Sequence, residues 1–289
     1  MASLSPLKAG SIVHLDAFPP PGVAMGHQRL GILRSTRPWR AVVALITGGA
    51  SAATVAAAVA REVERQLRRA DGSPGLCQAF LLLTQIPLAA RQSDFGAALR
   101  KLDLAVTNVP TLIDISSAMM GRLDELTRAS GRPDDLSEMS SKAAVESLIA
   151  MASQPGQSLF GASYAADEAR SALRGLSTDR QFGLLTRDFM ARITRHTLDY
   201  FLSRLLPDHV GQGRRLESLR DHQVFDTALG AHCRETAFIV EDYASDWYSK
   251  TNFEGGITLE KATTFIHVAL GKMLAELRVR GQTKVPVGA

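Results

Sequence analysis

Between Arg40 and Arg61 lie twenty residues without a charge, AVVALITGGASAATVAAAVA, and the structure they adopt constrains the whole fold. Twenty residues is the length of a helix that crosses a bilayer. Nine of them are Ala, however, two are Gly, and Thr47, Ser51 and Thr54 interrupt the run, so its transfer into lipid is far poorer than that of a Leu-rich segment. A helical hairpin accounts for more of the residues. Pro38 opens a first helix carrying Val42, Val43, Leu45 and Ile46, Gly48 and Gly49 stop it, and Ser51 caps a second helix running to about Arg69. In that second helix Val55, Val59, Val63 and Leu67 recur every four residues, backed by alanines that permit close packing, while REVERQLRR carries the exposed charge. The expectation is a packed helical pair and no membrane span.

Within the same stretch, VALITGGAS resembles the start of a short-chain dehydrogenase, where a strand runs into a glycine-rich turn and a helix whose N-terminus receives a cofactor pyrophosphate. The resemblance covers about a dozen residues and implies a nicotinamide cofactor. The chain departs from that pattern where the backbone would approach the phosphates, with Ala52, Ala53 and Thr54 in place of further glycines. The family's Tyr-x-x-x-Lys is also missing, since Tyr164 is followed four residues later by Glu168, Tyr200 by Arg204 and Tyr243 by Trp247. Gly48 and Gly49 therefore read as a turn, and no cofactor is expected.

The same helical grammar continues along the chain. Asp71 to Gly75 is a turn, LCQAFLLLTQ a buried helix ending near Pro87, and Asp94 caps DFGAALRKLDLAV. Pro110 opens a helix stopped by Gly131, Ser137 starts one reaching Ala152, and another spans about Gln157 to Arg174. Ser177 caps a long helix to about Leu206, with Phe182, Leu185, Phe189, Ile193, Phe201 and Leu205 on one face and Arg180, Arg187, Arg192 and Arg195 outside it. Asp221 to Ser249 reads as a single helix with Phe225, Leu229, Thr236, Val240, Tyr243 and Trp247 at helical spacing. Thr258 caps a last helix whose wide apolar face runs from Ala262 to Leu277 and which Gly281 stops. Before Pro38 only SIVHL and QRLGIL look extended, as two short candidate strands around a proline-rich turn.

The expected fold is thus mainly α, a multi-helix globular bundle with a short extended N-terminal segment. It divides into a basic arm over 1–37, a helical part over 38–175 and a long-helix part over 176–289. A chain of 289 residues, 45% hydrophobic and 21% charged, is long enough to bury a sizeable core. Cys77 and Cys233 stand alone without a C-x-x-C pair, which suits a reducing compartment. No secretory leader pattern opens the chain, so a cytoplasmic location is expected.

Charge is distributed unevenly. Residues 1–70 hold nine Lys and Arg against three Asp and Glu, a net +6, which leaves −2 for the rest of a chain whose total is +4. Arg29, Arg34, Arg37 and Arg40 fall within RLGILRSTRPWR, with no carboxylate among them and Trp39 available to stack. These five residues are the candidate surface for nucleic acid or an acidic protein partner. The loop DHVGQGRR offers a second candidate, an anion loop of His209, Gly211, Gly213, Arg214 and Arg215, in which two glycines free the backbone to turn its N–H groups inward. A third is the loop DWYSKTNFEGGIT, where Trp247, Tyr248, Lys250, Asn252 and Phe253 combine aromatic and polar groups suited to anchoring a partner.

Chemistry-bearing residues concentrate after His196, namely His196, His209, His222 and His232 with Asp199, Asp226, Cys233 and Glu235. They are the right types for a metal site or an acid–base pair. Their spacing matches no metal pattern: His232 and Glu235 form one reversed copy of the Glu-x-x-His unit that di-metal bundles use twice, and His232 falls on the apolar face with Phe225 and Leu229. The functional expectation is a non-enzymatic binding or scaffold component of a macromolecular assembly. Its partners are another protein or further copies of itself, with nucleic acid as a third class, and no metal or catalytic residue is assigned. The alternative is a metal- or nucleotide-dependent hydrolase using the region from His196 to Glu235.

Overall fold

The uncharged stretch folds as a helical hairpin. In the computed structural model the described residues are 37–69, 73–131, 134–153, 166–203, 211, 213 and 217–282, without the side chains of 37–39, 62–69 and 281–282. Helix α1 (Arg37–Thr47) ends in a left-handed Gly49, φ +80°. The Gly49 N–H donates to the Ile46 carbonyl at 3.3 Å and the Ala50 N–H to the Leu45 carbonyl at 3.0 Å, the paired bonds of a Schellman stop. Ser51 then accepts from the Thr54 N–H at 3.2 Å and starts α2 (Ala52–Arg69). Val55, Ala56, Ala57, Val59 and Ala60 are all buried, because α1 covers one side of α2 and the C-terminal helix the other.

Among the described residues nine further helices follow: α3 (Pro74–Ala89), α4 (Phe95–Arg100), α5 (Leu112–Ala129), α6 (Asp135–Ala152), α7 (Ala166–Gly175), α8 (Asp179–Leu202), α9 (Leu219–Thr236), α10 (Phe238–Phe253) and α11 (Leu259–Gln282). Among the described residues there is no strand, and no helix long and apolar enough to cross a membrane. The candidate strands SIVHL and QRLGIL lie outside the described residues. Helix α8 packs along α10 and is flanked by α6 and α9. Helix α11 lies on α2 and meets α3, α9 and α10, while α3 is backed by α5 and α6. Buried residues from Val42 to Leu277 form one continuous core, with contributions from both 38–175 and 176–289.

Local caps explain most helix starts. Asp94 accepts from the Ala97 N–H at 2.8 Å. Thr111 with Asp114, and Ser218 with Asp221, form reciprocal capping boxes. Some boundaries differ from the sequence reading. Helix α6 begins from Asp134, which accepts from the Ser137 N–H at 2.6 Å, three residues before the Ser137 start inferred from sequence. Pro87 sits inside the last turn of α3, where the helix has only two residues left to run. Gly281 is passed by one residue. The largest difference is at Ala237, where the single helix expected over 221–249 breaks into α9 and α10.

The aromatics, only 6% of the chain, are concentrated where α3, α8, α10 and α11 converge. Phe80 stacks on Phe265 with centroids 4.8 Å apart and lies 5.7 Å from Trp247, 6.1 Å from Phe182 and 6.2 Å from Phe189. Tyr248 stacks on Phe182 at 4.0 Å, and Tyr243 on Phe265 at 5.1 Å. Two glycines set how closely the helices around this cluster approach. A Cβ on Gly183 would stand 2.8 Å from the Glu241 carbonyl of α10, and one on Gly75 would stand 2.9 Å from the Ser137 Cα of α6. Neither helix pair could keep its spacing with a larger residue there.

Two stability outcomes follow from this packing. Phe80→Ala should lower unfolding free energy by about 3–5 kcal/mol, read from the denaturant midpoint at an unchanged m-value. Gly183→Ala should also destabilise, whereas Gly121→Ala, on the exposed face of α5 with nothing within 4 Å of the new Cβ, should stabilise by up to about 1 kcal/mol. Equal effects from the two glycine substitutions would show that the α8–α10 approach is not tight.

Candidate functional site

Within the region from His196 to Glu235, His196 and Asp199 lie on α8, and Asp226, His232, Cys233 and Glu235 on α9. Residues 188, 192, 195, 196 and 199 recur at helical spacing and meet α6 on one side and α9 on the other. Arg192 pairs with Asp188 one turn back at 2.6 Å and with Glu146 of α6 at 3.3 Å. The same Glu146 oxygen lies 3.1 Å from His196 Nε2. Arg195 pairs with Asp199 one turn on at 2.6 Å, donates to the Asp226 backbone carbonyl at 2.6 Å and binds the Asp226 carboxylate. Arg187 reaches across to Glu241 of α10 at 2.5 Å.

These contacts set the ionisation of the groups. Burial pulls the Arg192 and Arg195 guanidiniums down, but hydrogen bonds and charge from their carboxylates outweigh it and hold both above the ordinary arginine value. Burial raises the Asp199 carboxyl, and Arg195 only partly offsets this. Glu146, absent from the candidates read in sequence, is the shared acceptor. The Asp188–Arg192 and Arg195–Asp199 spacings are legible as i,i+4 pairs, but nothing local connects Glu146 to residues fifty positions away. Chemically, one carboxylate oxygen serving both a histidine and an arginine is a clamp between α6 and α8.

His232 and Cys233 belong to a different environment. His232 is 7% exposed, and its Nε2 has no hydrogen-bond partner among the described residues. Burial first, and then the Arg280 charge on α11, push the imidazole below its usual 6.5, against the opposing pull of Glu235 and Glu276. Burial lifts the Cys233 thiol to about 12, which removes its thiolate at neutral pH. His222 is half-buried and Glu235 exposed, the latter 3.5 Å from Arg280. His196 therefore faces the α6–α8 interface and His232 the α9–α11 interface. Among the described residues no three metal-type ligands converge.

The other candidates separate in the same way. Arg29 and Arg34 lie outside the described residues. Arg37 and Trp39 fall in the first turn of α1, their side chains undescribed, and Arg40 follows them, exposed. In the anion loop, His209, Arg214 and Arg215 are outside the described residues, while Gly211 and Gly213 take left-handed φ of +125° and +72°. All five residues of the third group lie on the last turns of α10, a helix where the sequence reading had a loop, and its members divide. Tyr248 is 1% exposed and packs on Phe182, with burial raising its hydroxyl to about 12, and Trp247 packs among Phe80, Phe182 and Phe265. Lys250 and Phe253 face solvent, and Asn252 is half-buried between them.

Two concavities were not legible in the sequence. A water-sized apolar crevice of about 20 Å³ lies among Ala60, Leu136, Ile193, Leu270 and Leu277. An open cleft of about 270 Å³ lies between α4, α7 and the segment before α5, lined by Asp94, Asn108, Val109, Asp167 and Arg170. Two of its polar groups already hold backbone: Asp94 caps α4, and Arg170 donates to the Ala90 and Gln92 carbonyls at 3.3 and 2.5 Å. Comparison of the chain with protein families, with curated proteins and with solved structures finds no match.

His232 makes acid stability a direct readout of this geometry. Its folded-state pKa is depressed, so the unfolded chain takes up a proton first as pH falls through 6.5, and stability declines below that value until the folded imidazole also protonates. Above pH 6.5 both states are neutral there and the group contributes no slope. Denaturant midpoints measured from pH 7.5 down to pH 5 should fall more steeply for the wild type than for His232→Leu. Parallel profiles would show that the imidazole is solvated in the fold.

Proposed function

We propose that this chain is a non-enzymatic binding or scaffold component of a macromolecular assembly. It meets nucleic acid or an acidic protein surface through the basic N-terminal residues Arg29, Arg34, Arg37, Trp39 and Arg40. The reading is carried by how the charges are used. Beyond Ala70 the half-buried arginines of α8 are neutralised by carboxylates on their own and neighbouring helices. The excess positive charge is concentrated before Ala70, and Arg40 is exposed at the start of the bundle. Opposite charges held together inside a fold present little field outward, whereas an unbalanced cluster attracts a polyanion.

The hydrolase alternative rests on the region from His196 to Glu235, in which His196 lies 3.1 Å from Glu146 of α6. It draws less support, because Arg192 shares the Glu146 oxygen and the carboxylates Asp199 and Asp226 are both occupied by Arg195. A metal- or nucleotide-dependent site needs several such groups turned to one place, and among the described residues no three metal-type ligands converge.

Fluorescence anisotropy on single- and double-stranded oligonucleotides at two salt concentrations tests the reading. The wild type should bind at low salt and weaken steeply as salt rises, because neutralised phosphates release counterions. Arg34→Ala/Arg37→Ala/Arg40→Ala should lose affinity and show a shallower salt slope while melting like the wild type. Absence of wild-type binding at low salt removes nucleic acid and leaves an acidic protein surface. A variant that unfolds would make these arginines internal ion-pair partners.

A further inference from the structure

The α1–α2 hairpin sorts charge by topology. Its turn over residues 48–51 falls midway between Arg40 and Arg61, so the uncharged stretch folds back on itself and both flanking arginines come to the open end. Helix α1 rises about 11 Å from Arg40 to Thr47 and α2 about 14 Å from Ala52 to Arg61, which sets the two at nearly the same level. Val42 and Ile46 are buried and α1 packs chiefly on α2, so the axes run at the usual separation of about 8–10 Å. Arg40 and Arg61 are both exposed, and neither makes an ion pair among the described residues. From Arg61 on, the backbone of α2 carries REVERQLRR, four arginines against two glutamates.

The make-up of this end selects its occupant. No large apolar side chain is exposed among the described residues of α1 and α2. A protein partner draws its affinity from buried aromatic and aliphatic anchors, and a bilayer from apolar groups that insert into it, whereas phosphate binding needs only cations. Two helices side by side are about 20 Å across, too wide for a major groove of about 12 Å. The open end therefore lies across the phosphate backbone and does not read base edges there.

We propose, on the nucleic-acid reading above, that Arg61 joins Arg40 in one phosphate-binding surface at the open end of the hairpin, which holds a nucleic-acid backbone independently of its sequence. Two basic segments on either side of the uncharged stretch thus serve one partner. Arg61 lies outside the cluster from Arg29 to Arg40, so its substitution tests the shared surface separately from the N-terminal arginines.

Fluorescence anisotropy of the full chain on two duplexes of unrelated sequence, over a range of salt, supplies that test. Each phosphate contact contributes about 0.9 to the slope of log K against log salt, so Arg61→Ala should weaken binding several-fold at low salt with a slope shallower by that amount, equally on both duplexes. Arg61→Lys, which keeps the charge, should keep most of the wild-type slope. Arg128→Ala, at an exposed arginine of α5, should bind like the wild type, and all three variants should melt with it. Equal affinities for Arg61→Ala and Arg128→Ala would overturn the shared surface and leave the N-terminal arginines alone as the site. A loss confined to one duplex, a lowered melting temperature for Arg61→Ala, or tighter binding of polyglutamate than of DNA at matched charge would also overturn it. A wild type that binds neither duplex would remove the nucleic-acid reading itself, and the shared surface with it.

Discussion

Four helices from distant parts of the chain are held together at Phe80. The ring stacks on α11 and touches α8 and α10 from its place on α3, so it joins segments separated by well over a hundred residues. Flat rings in offset contact need helices at a defined distance, and the small residues along the same interfaces supply it. Gly183 lets α10 approach α8, Gly75 lets α6 approach α3, and the alanines of α2 let α11 lie close along it. Large rings at the centre and missing side chains at the crossings are two halves of one packing solution.

Ionic contacts are arranged around that core, where half-burial strengthens them without the full desolvation penalty of a deep interior. Three of the four α8 arginines each fasten a different neighbour: Arg187 holds α10, Arg192 holds α6 and Arg195 holds α9. Arg195 also lies over Gly230, whose added Cβ would come 3.5 Å from its guanidinium, so the clamp and the helix spacing are set together. Of the acidic residues that suggested acid–base chemistry in the sequence, Asp199 and Asp226 are the acceptors of the Arg195 clamp, while Glu235 pairs with Arg280. Their chemistry and their structural role draw on the same lone pairs.

Much of the architecture was legible because local rules govern helix ends. The Gly48–Gly49 stop, the Ser51 and Asp94 caps, the Gly131 stop and the apolar face from Ala262 to Leu277 all emerge where the residues indicate. Positions that depend on neighbours were not legible. Asp134 competes with Ser137 for the start of α6, and it succeeds because its carboxylate also accepts from Ser73 across the interface with α3, at 3.2 Å. Trp247 and Tyr248, read in sequence as candidates for anchoring a partner, are carried by α10 into the aromatic core, while Phe253 stays exposed. The only local signal at Glu146 is its i,i+4 spacing from Lys142, and its role as shared acceptor arises when α6 lies against α8.

The break at Ala237 shows why periodicity alone misled. Buried positions Phe225, Leu229, Cys233, Thr236, Val240, Ala244 and Tyr248 keep helical spacing straight through it, so the pattern reads as one rod. Helices α9 and α10 hold 18 and 16 residues, and end to end they would reach about 50 Å, whereas the 24 residues of α8 span about 36 Å. A continuous rod would leave part of its apolar face beyond the end of α8. Bending at Ala237 lets α9 lean onto α2 and α11 while α10 stays on α8. Arg187 fastens the elbow, with its guanidinium 4.0 Å from the Phe238 ring centroid and paired with Glu241. His232 of α9 lies toward Arg280 of α11 while His196 of α8 lies against Glu146 of α6, so the two histidines belong to different interfaces.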